Sequence, residues 1–591
     1  MTDKILNWLL EEFELKGLHI KQVSRKDGDK TFSIHVGAHS NTLLRSAELM
    51  QIKKRLKDGS VRVLNYSHLS EFEGGEDRDS LLTMSEKQQI ILHEIQSVRA
   101  KDKIKIESLG LKKLLYEGQA VVPLLVNKGY VRKIFPLHDR EELKRLGTDW
   151  YKTFIKKQPI EAIRNYFGET IALYFSFLGF YTYALIPPAA LGVISYFFPA
   201  NWLYTTVFFS AFNLIWCTFF LELWKRYCSK LTYEWGTYGT ERLEEARPEY
   251  YGKLGINKIT NRIEPKYPKY KRLFRFYGVS VPIVFLCLVI AFYAMLFYFW
   301  MQDWADGYYM NDKGIIGLLV VNVPSAIYAI LIAIMNALYR ILAKKLNDWG
   351  KTHLATLLIV SQIIGQAQET LLPYILYKRR KIAIKKVQDK AATGDEYQFK
   401  EAVNQADIEK DKDLYIDTEQ MKEAQIQDAM DEDDGTMNDY LEMYLQFGYV
   451  FLFSAVFPTA AVWAFINNLT EIRSDAFKLC RIMQRPFSIP AANLGAWQIA
   501  FEILSLLAVL TNTALIGLSP PVHDKLVPKY GEAYIIFAFV LLEHVILGIK
   551  AVVSFCIPDA PKEVLFAIAK TNYEHRLAWQ DERKSKSSHI E

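Results

Sequence analysis

The feature that most constrains this chain is a series of apolar stretches, each long enough to cross a bilayer. A helix rises about 1.5 Å per residue, so roughly 20 apolar residues span a hydrocarbon core of about 30 Å. Such stretches lie at 170–198, 203–224, 276–300, 314–340 and 354–377. Another runs from Asp439 to Asn468, interrupted at Phe457-Pro458, and the last two cover 495–517 and 534–557. Tyr and Trp at several ends fit the aromatic belts of a membrane interface. Half of the 591 residues are hydrophobic, yet mean hydropathy is only +0.01. That balance requires charged soluble segments beside the apolar ones. The expected fold is an α-helical multi-pass membrane protein with an N-terminal α+β cytosolic domain.

Residues 1–165 supply the soluble domain. TFSIHV, VRVLNY and YVRKIFPL alternate and read as strands, while MSEKQQIILHEIQSVRAK and DREELKRLGTDWYKTFI have helical periodicity. This region has no Walker or GxGxxG loop and no triad pattern, so a regulatory or packing role is expected. Its start, MTDKILNWLLEEFELKG, mixes acids with apolar residues and is not a signal peptide, which places the N-terminus in the cytosol. Cys217, Cys228, Cys287, Cys480 and Cys556 lack CxxC spacing, arguing against a disulfide framework or a zinc site. The net charge of +6 fits loop bias towards an anionic leaflet rather than nucleic-acid binding.

Charge sets the expected topology. The 225–275 loop is rich in bases, including Lys225, Arg226, Lys230, Lys266, Lys269 and Lys271, and should be cytosolic. The loop after Trp300 carries Asp303, Asp306 and Asp312 and should be outside. Span 314–340 ends at Arg340, Lys344 and Lys345, and span 354–377 ends at Lys378, Arg379 and Arg380. Both ends of 354–377 therefore favour the cytosol, which one crossing helix cannot satisfy. Either this segment is re-entrant or a span is absent between Gly350 and Leu354. The expected organisation is membrane helices within 166–378, a charged cytosolic linker at 379–438, further membrane helices within 439–560 and a cytosolic tail at 561–591.

The membrane region also carries acids at helical spacing. Asp439 and Glu442 lie at i and i+3, and Glu471 and Asp475 at i and i+4, so each pair shares a helix face. From Glu442 to Pro458 is about 24 Å of helix, and from Pro458 to Glu471 about 20 Å. If the chain turns at Phe457-Pro458, both pairs return to one depth near the cytosolic side. Glu369, in the last turns of span 354–377, matches that depth. Clustered carboxylates are costly in hydrocarbon, and a hard cation relieves both desolvation and repulsion. Ca²⁺ takes about 6–8 oxygen ligands in irregular geometry, Mg²⁺ demands a stricter octahedron, and the absence of His and Cys argues against zinc. The plainer alternative is that these acids cap helices, pair with Arg473 and Lys478, or line a wet vestibule. Glu222 and Asp559, at span ends, read first as boundary residues paired with nearby bases. The acidic run DEDDG is not an EF-hand, because Met430 occupies the first ligand position. The sequon at Asn468 is expected to be buried in a helix.

At these residues the chain resembles the anoctamin family of Ca²⁺-activated chloride channels and phospholipid scramblases. The resemblance rests on IRNYFGETIALYFSFL, SAFNLIWCTFFLELWKR, YEWGT, DYLEMYLQFGYVFLFS, NNLTEIRSDAFK, RPF and FCIPDAP. It implies a homodimer with ten membrane helices per subunit, acting on phospholipids or chloride and without enzymatic chemistry. It implies the endoplasmic reticulum membrane, with the plasma membrane as the alternative, and both termini in the cytosol. It implies a two-Ca²⁺ site with Glu369 on helix six, Asp439 and Glu442 on helix seven, and Glu471 and Asp475 on helix eight. Glu222 and Asp559 match a further Ca²⁺ site near the dimer interface. This chain departs from the family pattern twice. Gly365 stands where the family often has an Asn ligand, and the family's fifth helix, a wall of its groove, has no room between Gly350 and Leu354.

Overall fold

The computed structural model describes residues 3–24, 32–100, 118–153, 157–197, 202–239, 253–256, 263–266 and 269–311. It further describes positions scattered between 320 and 338, and residues 423–588 apart from 425, 434, 518, 520, 521, 523 and 525. The chain forms two compact units. One comprises Met1–Leu6, Gln96–Lys133 and Arg242–Glu369; the other comprises Asn7–Ile95, Ile134–Glu241 and Thr370–Glu591.

The N-terminal region contains α1 (Asp3–Leu15), the antiparallel pair β1 (Leu18–Ser24) and β2 (Phe32–Ala38), and α2 (Ser40–Leu49). A second hairpin, β3 (Lys53–Arg55) and β4 (Val61–Val63), precedes α3 (Met84–Gln96). Leu44, Ala47, Leu64, Phe72 and Ile90 form a buried core beneath α2, the second hairpin and α3. The short α4 (Val121–Asn127) lies in the first unit. The expected strand at YVRKIFPL does not form, and residues 132–139 have no ladder partner. Their main-chain groups are taken by side chains instead: Arg485 donates to the Leu137 carbonyl at 3.2 Å, and the Gln427 amide oxygen accepts from the His138 N–H at 2.7 Å. Alternating hydrophobicity alone does not supply a strand with a neighbour.

The helix α5 (Arg140–Asp149) starts where the Asp139 carboxylate accepts from the N–H groups of Glu141 and Glu142. The next helix, α6 (Ile160–Phe167), meets α7 (Glu169–Ala184) at Gly168, which has φ +97°. A Cβ on Gly168 would lie 2.1 Å from the Ser488 hydroxyl, so both conformation and close approach require glycine. Pro187 and Pro188 lack the N–H groups that α7 needs to continue, and the chain restarts as α8 (Ile186–Phe197). The long α9 (Trp202–Glu234) follows. In the first unit, β5 (Lys253–Ile256) pairs with β6 (Ile263–Lys266) ahead of α10 (Lys269–Arg275) and α11 (Val281–Asn311).

The second unit resumes with α12 (Met437–Leu452) and α13 (Ala460–Arg481), then α14 (Ala496–Gly517), α15 (Val527–Tyr530), α16 (Glu532–Cys556) and α17 (Lys562–Ser588). Four described stretches are long and apolar enough to cross a membrane: Glu169–Phe197, Thr205–Glu234, Ala496–Gly517 and Glu532–Cys556. They coincide with the spans expected at 170–198, 203–224, 495–517 and 534–557, and α11 covers the one at 276–300 from Val281 onwards. Span 354–377 and linker residues 379–422 lie outside the described residues. Aromatic rings fill the interior of this helical region, with Phe177 4.9 Å from Trp224 and Phe447 5.1 Å from Phe501 between centroids. Tyr534, Phe537, Leu541 and Val552 leave one side of α16 apolar and exposed, as a lipid-facing surface requires.

Between α12 and α13 the chain turns at Pro458. Asn512 of α14 satisfies the main-chain groups this turn releases: its Nδ2 donates to the Phe451 carbonyl at 2.7 Å, and its Oδ1 accepts from the Ala455 N–H at 2.9 Å. The Ser454 hydroxyl donates to the same oxygen at 2.9 Å. Such pairing is obligatory where no bulk water is available. From the other side, Gly192 of α8 packs so closely that an added Cβ would lie 2.1 Å from the Pro458 carbonyl oxygen.

Candidate cation site

The turn at Pro458 returns α13 alongside α12 and brings the two acidic segments together. Asp439, in the first turn of α12, and Asp475, near the end of α13, line one small cleft. Asp433, Thr436, Lys478 and Tyr174 complete its polar wall, with Ile171 and Leu479 as the apolar part. The Tyr174 hydroxyl donates to Asp475 Oδ2 at 2.6 Å. Glu471 lies one turn further into α13, is 3% exposed, and accepts from Asn467 Nδ2 at 3.0 Å. Glu442 is half-buried on α12, one turn beyond Asp439. Asn468 is fully buried in α13, as the depth count requires.

The donors in the cleft are carboxylate and hydroxyl oxygens, which suit a hard divalent cation and not a thiophilic one. Among the described residues no three His, Cys, Asp or Glu side chains converge as a ready metal cage. Glu369 and Gly365 lie outside the described residues. Of the two bases weighed as partners for these acids, Lys478 does enter the cleft. Arg473 donates to the Trp150 carbonyl at 2.8 Å.

The second acidic locus is organised around a lysine. Glu222, near the middle of α9, is 4% exposed and pairs with Lys225 at 2.6 Å. The same ammonium lies 3.3 Å from Asp559 and 3.7 Å from Glu502 of α14. Glu222 and Asp559 are thus brought together, with a protein cation between them. Sequence reasoning missed Glu502, although an acid within an apolar span was itself a signal. It also missed Asn467, four residues before Glu471 and therefore on its face. Tyr174 could not have been found from spacing, because it reaches Asp475 from a helix 301 positions earlier.

Comparison with known proteins adds an independent line. The profile of a family described as "Anoctamin: Calcium-activated chloride channel" matches residues 163–353 and 350–571. Human Anoctamin-10 is 41% identical over 584 aligned positions, covering 91% of this chain and 85% of that protein. Danio rerio Anoctamin-10 is 40% identical over 583 positions, covering 91% of this chain and 86% of the relative. Mouse Anoctamin-8 is 26% identical over 818 positions, with 98% of this chain and 76% of the relative aligned.

Proposed function

This chain belongs to the anoctamin family, and from that premise we propose that it is a Ca²⁺-activated membrane protein that passes phospholipid headgroups, chloride or both. The observation that carries the proposal is the meeting of Asp439 and Asp475 in one oxygen-lined cleft. Glu471 and Glu442 stand one turn away, and the family resemblance adds Glu369. Bound there, Ca²⁺ would supply positive charge that offsets carboxylate repulsion. Asp439 and Asp475 would hold it, Tyr174 would orient Asp475 through its hydrogen bond, and Lys478 would give up its share of the cleft. A cation favours whichever arrangement offers more of these oxygens, and gating follows from that differential affinity. No covalent step is involved. We place the protein as a homodimer in the endoplasmic reticulum membrane, with Glu222 and Asp559 as a further Ca²⁺ locus.

Reconstitution of the purified chain in liposomes with fluorescent lipid and a chloride reporter tests this. Ca²⁺ should accelerate lipid exchange or chloride flux, and Asp439→Asn with Asp475→Asn should abolish the acceleration. Identical rates with and without Ca²⁺ would sink the proposal.

A second reading has its own support. The two family matches meet at residues 350–353, and the alignments with longer relatives run past the residues this chain contributes. A chain lacking one wall of the family's groove would act as a non-conducting partner of full-length anoctamins. Co-expression that damps a full-length relative, with no lipid or chloride transport by this chain alone, favours that reading.

A further inference from the structure

The RPF motif at Arg485–Phe487 has no place in the cation cleft, yet Arg485 is 2% exposed. Its guanidinium donates to the carbonyls of Leu137 and Tyr166 and lies 3.7 Å from the centre of the Tyr166 ring. Beside it, Gln427 and His138 make a reciprocal pair. The His138 N–H donates to Gln427 Oε1 at 2.7 Å, and Gln427 Nε2 donates to the His138 carbonyl at 3.3 Å. Gln484 closes the arrangement. Its N–H donates to the Asp431 carbonyl at 2.8 Å, and its Nε2 donates to the Gln427 carbonyl at 2.9 Å. Asp431 and Met483 form a parallel bridge at the same point.

This buried clasp joins the chain entering α12 to the chain leaving α13. The cleft begins just beyond it on both sides. Asp433 and Thr436 lie between Asp431 and α12, while Asp475 and Lys478 lie on the last turns of α13 before Met483. Apart from Tyr174, the polar lining of the cleft therefore comes from the two segments that the clasp stitches together. Oxygen ligands must lie within a few tenths of an ångström of their preferred distance, so the spacing of those segments governs affinity.

We propose that Gln427, Gln484 and Arg485 are positioning residues that set the divalent-cation sensitivity of the Asp439–Asp475 cleft. The inference rests on the cation-gated reading above. It assigns to the RPF motif and the end of the linker a role in holding the carboxylates at a fixed span.

Calcium titration of the purified full-length chain by calorimetry provides the test, with Ca²⁺ alone as the probe. Gln427→Met keeps volume and removes the amide, and Gln484→Ala removes the side-chain bond to the Gln427 carbonyl while the main-chain bond to Asp431 stays. Each should raise half-saturating Ca²⁺ about tenfold, the usual cost of losing a residue behind a metal ligand, with the number of ions bound unchanged. Should neither variant fold, Arg140→Gln removes only the exposed ion pair to Glu423 at the clasp's rim and should raise half-saturation about threefold. Folded variants that titrate like the parent, with a lowered melting temperature as their sole change, overturn the proposal and leave the clasp structural. Asp439→Asn separates the two readings. If it removes binding while the clasp variants titrate like the parent, only the clasp inference fails. If the parent binds no Ca²⁺, or Asp439→Asn binds as the parent does, the cation reading of the cleft fails first.

Discussion

The phenol of Tyr174 donates a 2.6 Å hydrogen bond to Asp475 Oδ2, so the first apolar span reaches directly into the acid cleft. A bond to a charged group contributes about 2 kcal/mol, and it also fixes which carboxylate oxygen faces the cleft. Tyr174→Phe should lower stability by about that amount and raise half-saturating Ca²⁺ severalfold. Chemical unfolding and calcium titration of the same preparation check both effects; an unchanged titration would remove Tyr174 from the site.

Lys478 shares the cleft with Asp433, Asp439 and Asp475. Its ammonium supplies in the cation-free protein part of the charge that a divalent ion would bring. Lys478→Met should therefore lower the melting temperature without Ca²⁺, because the carboxylates lose a counter-charge, and should tighten Ca²⁺ binding severalfold. Thermal scans with and without Ca²⁺ separate the two effects, and weaker binding in the variant would contradict the competition.

At the second locus, Lys225 holds the buried Glu222 together with the more exposed Glu502 and Asp559. Taking the base away strands Glu222 in a desolvated position, at a cost of about 3 kcal/mol. The bridge to the largely exposed Asp559 adds little. Lys225→Met should unfold earlier on heating, and millimolar Ca²⁺ should restore part of the loss. Absence of any restoration would argue that Glu222 and Asp559 bind no cation.

Burial holds the His138 imidazole down to about 4 from its ordinary 6.5, and Arg485 adds to the effect against the opposing bond to the Met483 carbonyl. The Tyr166 hydroxyl, which accepts from the Asp139 N–H, donates to His138 Nδ1 and so requires the neutral ring. The unfolded chain takes up this proton near pH 6.5 and the folded chain only near 4. The clasp's contribution is therefore complete above pH 6.5 and is lost progressively as pH falls towards 4, by about 3 kcal/mol in all. Denaturant midpoints between pH 7.5 and 4.5 should show that slope, and His138→Gln should flatten it.

Gly192 leaves no space for a side chain against the Pro458 carbonyl. Gly192→Val should cost about 3 kcal/mol through overpacking, with little change in calcium affinity, since the contact lies at the end of α12 and α13 remote from the cleft. Urea unfolding and calcium titration together check this.

The four apolar spans at 170–198, 203–224, 495–517 and 534–557 and the turn at Pro458 were legible because each follows from a local rule: length, or a missing N–H. The clasp was not legible. His138 and Gln427 are 289 positions apart, and nothing in either neighbourhood announces the other. The same contacts explain the misread strand, since residues 132–139 satisfy their main chain with donors and acceptors from distant segments. Around Lys225 the opposite held. Glu222 and Asp559 were singled out at span ends with pairing to a nearby base anticipated, but Glu502 was passed over inside a span read only for its hydropathy.

The turn at Pro458 has a mechanical consequence. Gly192 and Asn512 fasten the membrane end of the α12–α13 hairpin, and Gln427, Gln484 and Arg485 fasten its other end. A hairpin bolted at both ends is the stationary jaw of a vice. On the proposed cation-gated reading, travel would then be carried by chain outside α12 and α13, drawn against a pair of carboxylate-bearing helices held at both ends.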